Sequence, residues 1–93
     1  MLNIFQKTPN EINRIVAQNI TSLRKRKKIS QKELSLKSGV SYGSIRRFEN
    51  EGEISLTSLT KIAIALGVSE ELEELFSEVP FDSIQEVING QSK

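Results

Sequence analysis

The sequence predicts an all-α fold of five short helices, and the spacing of apolar residues and the position of capping residues carry that prediction. Apolar side chains recur every three or four residues, as at Ile12, Ile15 and Val16, which places them on one face of a helix. Serines precede several of these runs, where a hydroxyl can accept a hydrogen bond from the free amides of the first helical turn. The chain of 93 residues is long enough for one domain.

Local signals mark the ends of the first three predicted helices. Asn10 is expected to cap the first helix, whose apolar face runs from Ile12 to Leu23. Ser30 and Glu33 have the spacing of a capping box at the start of the second helix. Gly39 is expected to end that helix, since glycine readily adopts positive φ. Ser41 is expected to cap the third helix.

Two further helices and the domain limits complete the prediction. Ser55 is expected to open the fourth helix, which Gly67 closes, and Ser69 is expected to cap the fifth. After Pro80 the apolar spacing allows one more short turn or strand. The sequence thus divides into an N-terminal arm (1–9), a helical domain (10–78) and a C-terminal tail (79–93).

The charge is unevenly distributed along the chain, although its net value is only +1. Residues 1–50 hold eleven Lys and Arg against three Glu, whereas residues 51–93 hold two Lys against nine acidic residues. A net charge of +8 followed by one of −7 predicts that the first half meets a polyanion.

The composition argues against several functional classes. Without cysteine there is no disulfide, thiolate metal site or cysteine nucleophile, and without histidine the commonest general base and metal ligand are missing. We therefore expect no enzyme activity and no cofactor. No apolar run approaches the roughly 20 residues that span a bilayer, and the first residues lack the pattern of a signal peptide. These features predict a cytoplasmic protein.

Residues 31–50 carry the functional signal. Two short helices joined by a tight turn at Gly39 form a helix-turn-helix motif. In its second helix Ile45 and Phe48 share the inner side, while the opposite side carries two arginines, which can form paired hydrogen bonds with guanine. The sequence therefore predicts a helix that enters the major groove of double-stranded DNA.

Residues 23–68 resemble the phage-repressor and Cro type of helix-turn-helix regulator, the XRE family. The matching residues are 29–34 (ISQKEL), 38–41 (SGVS), 45, 48–50 (FEN) and 56–68. The resemblance implies a five-helix bundle like the DNA-binding domain of lambda repressor. It also implies a sequence-specific transcriptional regulator, expected to be a repressor that binds a palindromic operator as a homodimer.

The resemblance also assigns functional positions, which we adopt as predictions. The residues expected to contact base edges are Tyr42, Gly43, Arg46 and Arg47. Those expected at the sugar-phosphate backbone are Gln31, Ser41, Ser44 and Asn50, with Arg24, Lys25 and Lys28 as added cations. For the basic run from Arg24 to Lys28, a second interpretation is equally good: these residues form a solvated helix end that does not contact DNA.

The sequence departs from the family pattern at two positions, and the second departure suggests a further function. Ser35 replaces a common alanine, and its hydroxyl can bond to a carbonyl. Ile54 stands where many members have proline, and this variant resembles regulators paired with HipA-type kinase toxins. The alternative is therefore an antitoxin that binds such a kinase and autoregulates its operon. Apolar residues expected at a dimer or partner contact are Leu75, Phe76, Val79, Phe81, Ile84, Val87 and Ile88.

Overall fold

The computed structural model describes residues 6–78, and this part of the chain is entirely helical. Its five helices, in chain order, are α1 (Pro9–Arg26), α2 (Gln31–Ser38), α3 (Tyr42–Glu51), α4 (Leu56–Ala65) and α5 (Ser69–Glu73). The predicted all-α class and five helices are confirmed over the described residues. Predictions that concern 79–93 lie outside them.

Helix α1 begins earlier than predicted. Its N-cap is Thr8, whose hydroxyl accepts a hydrogen bond from the Glu11 amide at 3.1 Å. The Glu11 carboxylate in turn accepts from the Thr8 amide at 3.3 Å, which completes a capping box. Pro9 occupies the first helical position, where its missing amide costs no hydrogen bond. The prediction that Asn10 caps this helix is therefore wrong.

Serine hydroxyls cap the N-termini of the next three helices, as predicted. Ser30 accepts from the amide of Glu33 at 3.0 Å, and the side chain of Glu33 completes the capping box. Ser41 and Ser55 each accept from the amide three residues later at 3.1 Å. Helix α5 differs, because Val68 is its N-cap and no side chain caps it. The prediction that Ser69 caps this helix is wrong.

The turn between α2 and α3 is closed by a glycine and a serine. Gly39 has a φ of 77°, a left-handed conformation that favours glycine, and it ends α2 as predicted. The hydroxyl of Ser35 donates to the carbonyl of Val40 at 2.6 Å. The serine that departs from the family pattern therefore supplies a hydrogen bond that ties α2 to the turn.

Gly52 sets the distance between α3 and α1. It ends α3 with a φ of 79°. A Cβ atom at this position would lie 3.1 Å from the carbonyl carbon of Asn13 and 3.2 Å from the amide nitrogen of Arg14. Only glycine fits this conformation and this approach together.

The core lies where α1, α2, α3 and α4 meet. Helix α3 packs on α1 and α2, while α4 packs on α2 and carries α5. The buried core cluster consists of Ala17, Leu34, Val40, Ile45, Phe48, Ile62 and Leu66. This packing holds one side of α3 inside the protein and leaves its other side at the surface. No helix within residues 6–78 is long and apolar enough to cross a membrane.

Candidate nucleic-acid interface

Helix α3 has one buried side and one exposed side. Ile45 and Phe48 are almost completely buried. Tyr42, Gly43, Arg46 and Arg47 are all exposed, and we call these four residues the outer face of α3. The inward direction of Ile45 and Phe48 is confirmed. That the outer face contacts bases stays a prediction.

Tyr42 brings together cations from two helices. The Nζ atom of Lys32 on α2 lies 5.7 Å from the centre of the Tyr42 ring. The guanidinium carbon of Arg46 on α3 lies 5.6 Å from the same centre. Both distances are within about 6 Å, the range of cation–π attraction. The ring therefore attracts two positive charges that come from different helices.

Lys32 is absent from the sequence-predicted site. The available signal was its position: residues 39–41 join the end of the short helix α2 to the start of α3, so a cation of α2 can lie near Tyr42. Periodicity within either helix alone does not show such an approach. The structure adds Lys32 to the candidate surface.

Arg47 lies where α3 meets the start of α4. Its Nη2 atom is 3.5 Å from Oε1 of Glu53, and the two side chains are 62% and 57% exposed. A long ion pair in solvent contributes little to stability, so this arginine can exchange Glu53 for another anion. A shallow depression of about 350 Å³ adjoins the pair, lined also by Ser44, Ser55 and Ser58.

Arg24 is buried, in contrast to the cations of the outer face. Its Nε and Nη2 atoms donate to the two carboxylate oxygens of Glu49 at 2.8 and 2.9 Å. Its Nη1 atom donates to the carbonyl of Ile29 at 2.8 Å. The side chains of Arg24 and Glu49 are 9% and 5% exposed. The structure therefore gives Arg24 an internal role, which differs from its predicted contact with the DNA backbone.

Gln31 belongs to the same group of residues. Its Nε2 atom donates to Oε1 of Glu49 at 3.0 Å, although the residue stays partly exposed at the start of α2. We call Arg24, Gln31, Glu49 and the Ile29 carbonyl the Arg24 cluster. Burial alone would raise the pKa of Glu49, but hydrogen bonds from Arg24 and Gln31 and the charge of Arg24 lower it below its ordinary value. The cluster joins α1, α2 and α3.

The other predicted contact residues lie in α3, at its N-cap, and at or just after the end of α1. Those exposed at the surface are Lys25, Lys28, Ser41, Ser44 and Asn50. The Ser41 hydroxyl caps α3 and also donates to the Ser44 hydroxyl at 2.8 Å. No structural observation tests their contact with phosphate, which stays a prediction together with that of Gln31.

The predicted partner surface is described only in part. Leu75 and Phe76 are 52% and 92% exposed. Phe76 has a φ of 60°, which is uncommon for an aromatic residue. The remaining residues of that prediction lie outside the described part of the chain; they are Val79, Phe81, Ile84, Val87 and Ile88.

The comparison with known families matches this geometry. A family model described as helix-turn-helix matches residues 20–72, which include α2, α3 and α4. No curated protein and no solved structure gives a significant match. The family match covers more than half of the chain. The protein is therefore a member of the XRE-type helix-turn-helix family of DNA-binding transcription regulators.

Proposed function

We propose that this protein is a transcriptional repressor that binds a palindromic operator as a homodimer. The observation that carries the proposal is the outer face of α3. It is exposed and cationic and contributes nothing to the core. An α-helix fits the major groove, where each base pair presents a distinct pattern of donors and acceptors.

In the proposed complex the outer face of α3 reads base edges. Arg46 and Arg47 donate to guanine, and Tyr42 holds Arg46 over its ring. Gly43 has no side chain and lets the helix backbone approach the bases. Backbone phosphates are contacted by the exposed polar and basic residues nearby: Gln31, Ser41, Ser44, Asn50, Lys25, Lys28 and Lys32.

A second copy is needed to recognise a unique DNA site, because one helix contacts only a few base pairs. Two-fold dimers of this motif place their reading helices about 34 Å apart, one turn of DNA. We assign the contact between copies to the exposed Phe76. A symmetric contact of this kind buries the same surface on both copies.

Selection of binding sites from random duplex DNA, followed by titration of the selected site, tests the proposal. A palindrome with half-sites about one turn apart is expected. Log affinity should fall linearly with log salt, since each neutralised phosphate releases counterions. The matched variants are Arg46→Ala and Arg26→Ala, which remove one exposed cation on and off the outer face. Recovery of no sequence, or an affinity independent of salt, would reject the proposal.

The antitoxin alternative rests on the exposed residues after α4. Helix α5 carries Glu70, Glu71 and Glu73 and is followed by the exposed Leu75 and Phe76. None of the outer face of α3 belongs to this surface, so a protein bound here leaves α3 free for DNA. Co-expression with a HipA-type kinase tests this alternative. Retention of the kinase by the wild type, and its loss with Phe76→Ser, would support the antitoxin function.

A further inference from the structure

An apolar groove lies on the side of the molecule formed by α1, α4 and α5. Its walls include Val16 and Ile20 of α1, Leu56 and Leu59 of α4, and Leu72 of α5. The groove is open to solvent and has a volume of about 530 Å³. None of the outer face of α3 lines it.

The groove is large enough for several side chains. A cavity of about 150 Å³ binds benzene, so about 530 Å³ corresponds to three or four apolar groups of that size. Large apolar residues that line the groove are also exposed, with Leu56 at 68% and Val16 at 39%. An exposed apolar surface of this kind marks a site that binds another group, such as a protein segment, a membrane or a ligand.

The chain itself leads to this groove. Leu75 lines its edge and is followed, six positions later, by Phe81. Six extended residues reach at most about 20 Å, and a helix of ten residues such as α4 is about 15 Å long. Phe81 can therefore reach any point of the groove without strain in the connecting residues.

The sequence of that segment suits an apolar groove. Phe81, Ile84, Val87 and Ile88 follow the three-to-four spacing of one helical face. The intervening positions carry Asp82, Ser83, Gln85 and Glu86, which such a helix would leave in solvent. A helix with one apolar face is therefore suited to cover the apolar groove between α1, α4 and α5.

We infer that residues 81–88 of the same chain occupy the groove between α1, α4 and α5 as a sixth element of the domain. A short connection gives the segment an effective concentration in the millimolar range, so its own groove is favoured over that of another copy. This arrangement does not depend on the proposed function, but it takes Phe81, Ile84, Val87 and Ile88 out of the predicted contact between copies. Phe76 does not line the groove and stays available for the contact between copies.

A cycle of substitutions tests the contact by thermal unfolding. Ile84→Ser and Leu56→Ser should each lower Tm by about 4–8 °C, as expected for a loss near 1 kcal/mol in a domain of this size. Together they should lower Tm no more than the larger single effect, because both remove the same contact. The matched controls are Gln85→Ser on the polar face and Leu36→Ser, an exposed leucine outside the groove. Additive effects of Ile84→Ser and Leu56→Ser would overturn the inference.

A spin label distinguishes the chain's own segment from that of a second copy. The chain has no cysteine, so Gln85→Cys provides a single attachment site. Broadening of the amide signals of Val16, Ile20 and Leu59 is expected when the label and the observed nuclei are in the same chain. Broadening in a mixture of labelled unenriched chains and unlabelled enriched chains would assign the groove to a second copy. Absence of broadening in both samples would show that the segment lies elsewhere.

Discussion

The Arg24 cluster and the outer face of α3 both depend on arginine, but the two regions use it in opposite ways. Arg24 is buried and makes three hydrogen bonds within the protein. Arg46 is exposed, and its guanidinium group lies over the ring of Tyr42. Removing the Arg24 side chain should therefore lower the free energy of unfolding. Removing the Arg46 side chain should lower the affinity for DNA.

The reason lies in solvation. A charge taken out of water needs a partner of good geometry, because its hydration is lost. Glu49 supplies that partner through two short hydrogen bonds, and its position in α3 ties this helix to α1. A charge that remains in water has no such cost and keeps its donors for a ligand.

Arg24→Ala should have the largest effect on stability. It leaves the Glu49 carboxylate buried with its charge unpaired, which costs about 3–5 kcal/mol in comparable buried pairs. Urea unfolding measures the loss, and Lys25→Ala is the matched control because Lys25 is exposed. The double variant Arg24→Met, Glu49→Leu should recover much of the loss. A change below about 1 kcal/mol for Arg24→Ala would contradict the structural role of the cluster.

Acid should weaken the same cluster to a smaller extent. The folded pKa of Glu49 lies below its unfolded value, which is about 4.3. Its contribution is therefore complete above that value and is lost as the pH falls through the folded pKa. The difference in unfolding free energy between wild type and Glu49→Gln should be constant above about pH 5 and shrink in more acidic solution. Glu33, whose pKa is also lowered, is common to both proteins and cancels. A difference independent of pH would refute this account.

Arg46→Ala should reduce operator affinity by about 1–3 kcal/mol and relax base preference at one position of each half-site. Its effect on unfolding free energy should stay within about 0.5 kcal/mol, since the side chain is exposed. Lys25→Ala should weaken binding to all sequences about equally. Equal, non-selective losses for both variants would mean that the outer face of α3 does not read bases.

Tyr42→Leu should reduce operator affinity by no more than about 0.5–1 kcal/mol, because it removes the exposed cation–π contacts that position Lys32 and Arg46. Tyr42→Phe keeps the ring beside Lys32 and Arg46 and should bind nearly as well as the wild type. Competitive titration against the selected operator compares the two variants directly. If Tyr42→Phe lost as much as Tyr42→Leu, the hydroxyl and not the ring would be responsible.

Gly43→Ala should change stability and operator affinity in opposite directions. No atom lies within 4 Å of a Cβ placed at this position, so the fold has room for it. Because alanine can adopt the helical backbone conformation of Gly43, the substitution should stabilise the domain by about 0.4–1 kcal/mol, chiefly by restricting the unfolded chain. Operator affinity should nevertheless fall, because the added methyl group would meet the DNA. An unchanged affinity would show that the backbone at Gly43 does not approach the bases.

The helices could be predicted from the sequence because their signals are local. Ser30, Ser41 and Ser55 cap the helices they were expected to cap. The start of α1 was missed although Thr8, Pro9 and Glu11 form a recognisable signal, because Asn10 competed for the same role. Val68 at the start of α5 has no side-chain capping bond and therefore no comparable signal.

Partners between helices could not be predicted in the same way. Arg24 belongs to a basic run, and the sequence alone predicts that it is one more surface cation. The structure shows that it contacts Glu49, which lies 25 positions away. Lys32 reads as an ordinary helix cation until α2 and α3 are packed together. Charge patterns show which residues are charged, whereas packing decides which of them are paired.

The division of α3 between its two faces has a consequence for how such a regulator changes over generations. Ile45, Phe48 and Glu49 hold the helix in the protein, while its outer face has no part in the core. Substitutions at exposed positions rarely change stability by more than about 0.5 kcal/mol. Duplicated copies of this gene can therefore exchange residues of the outer face and keep the fold.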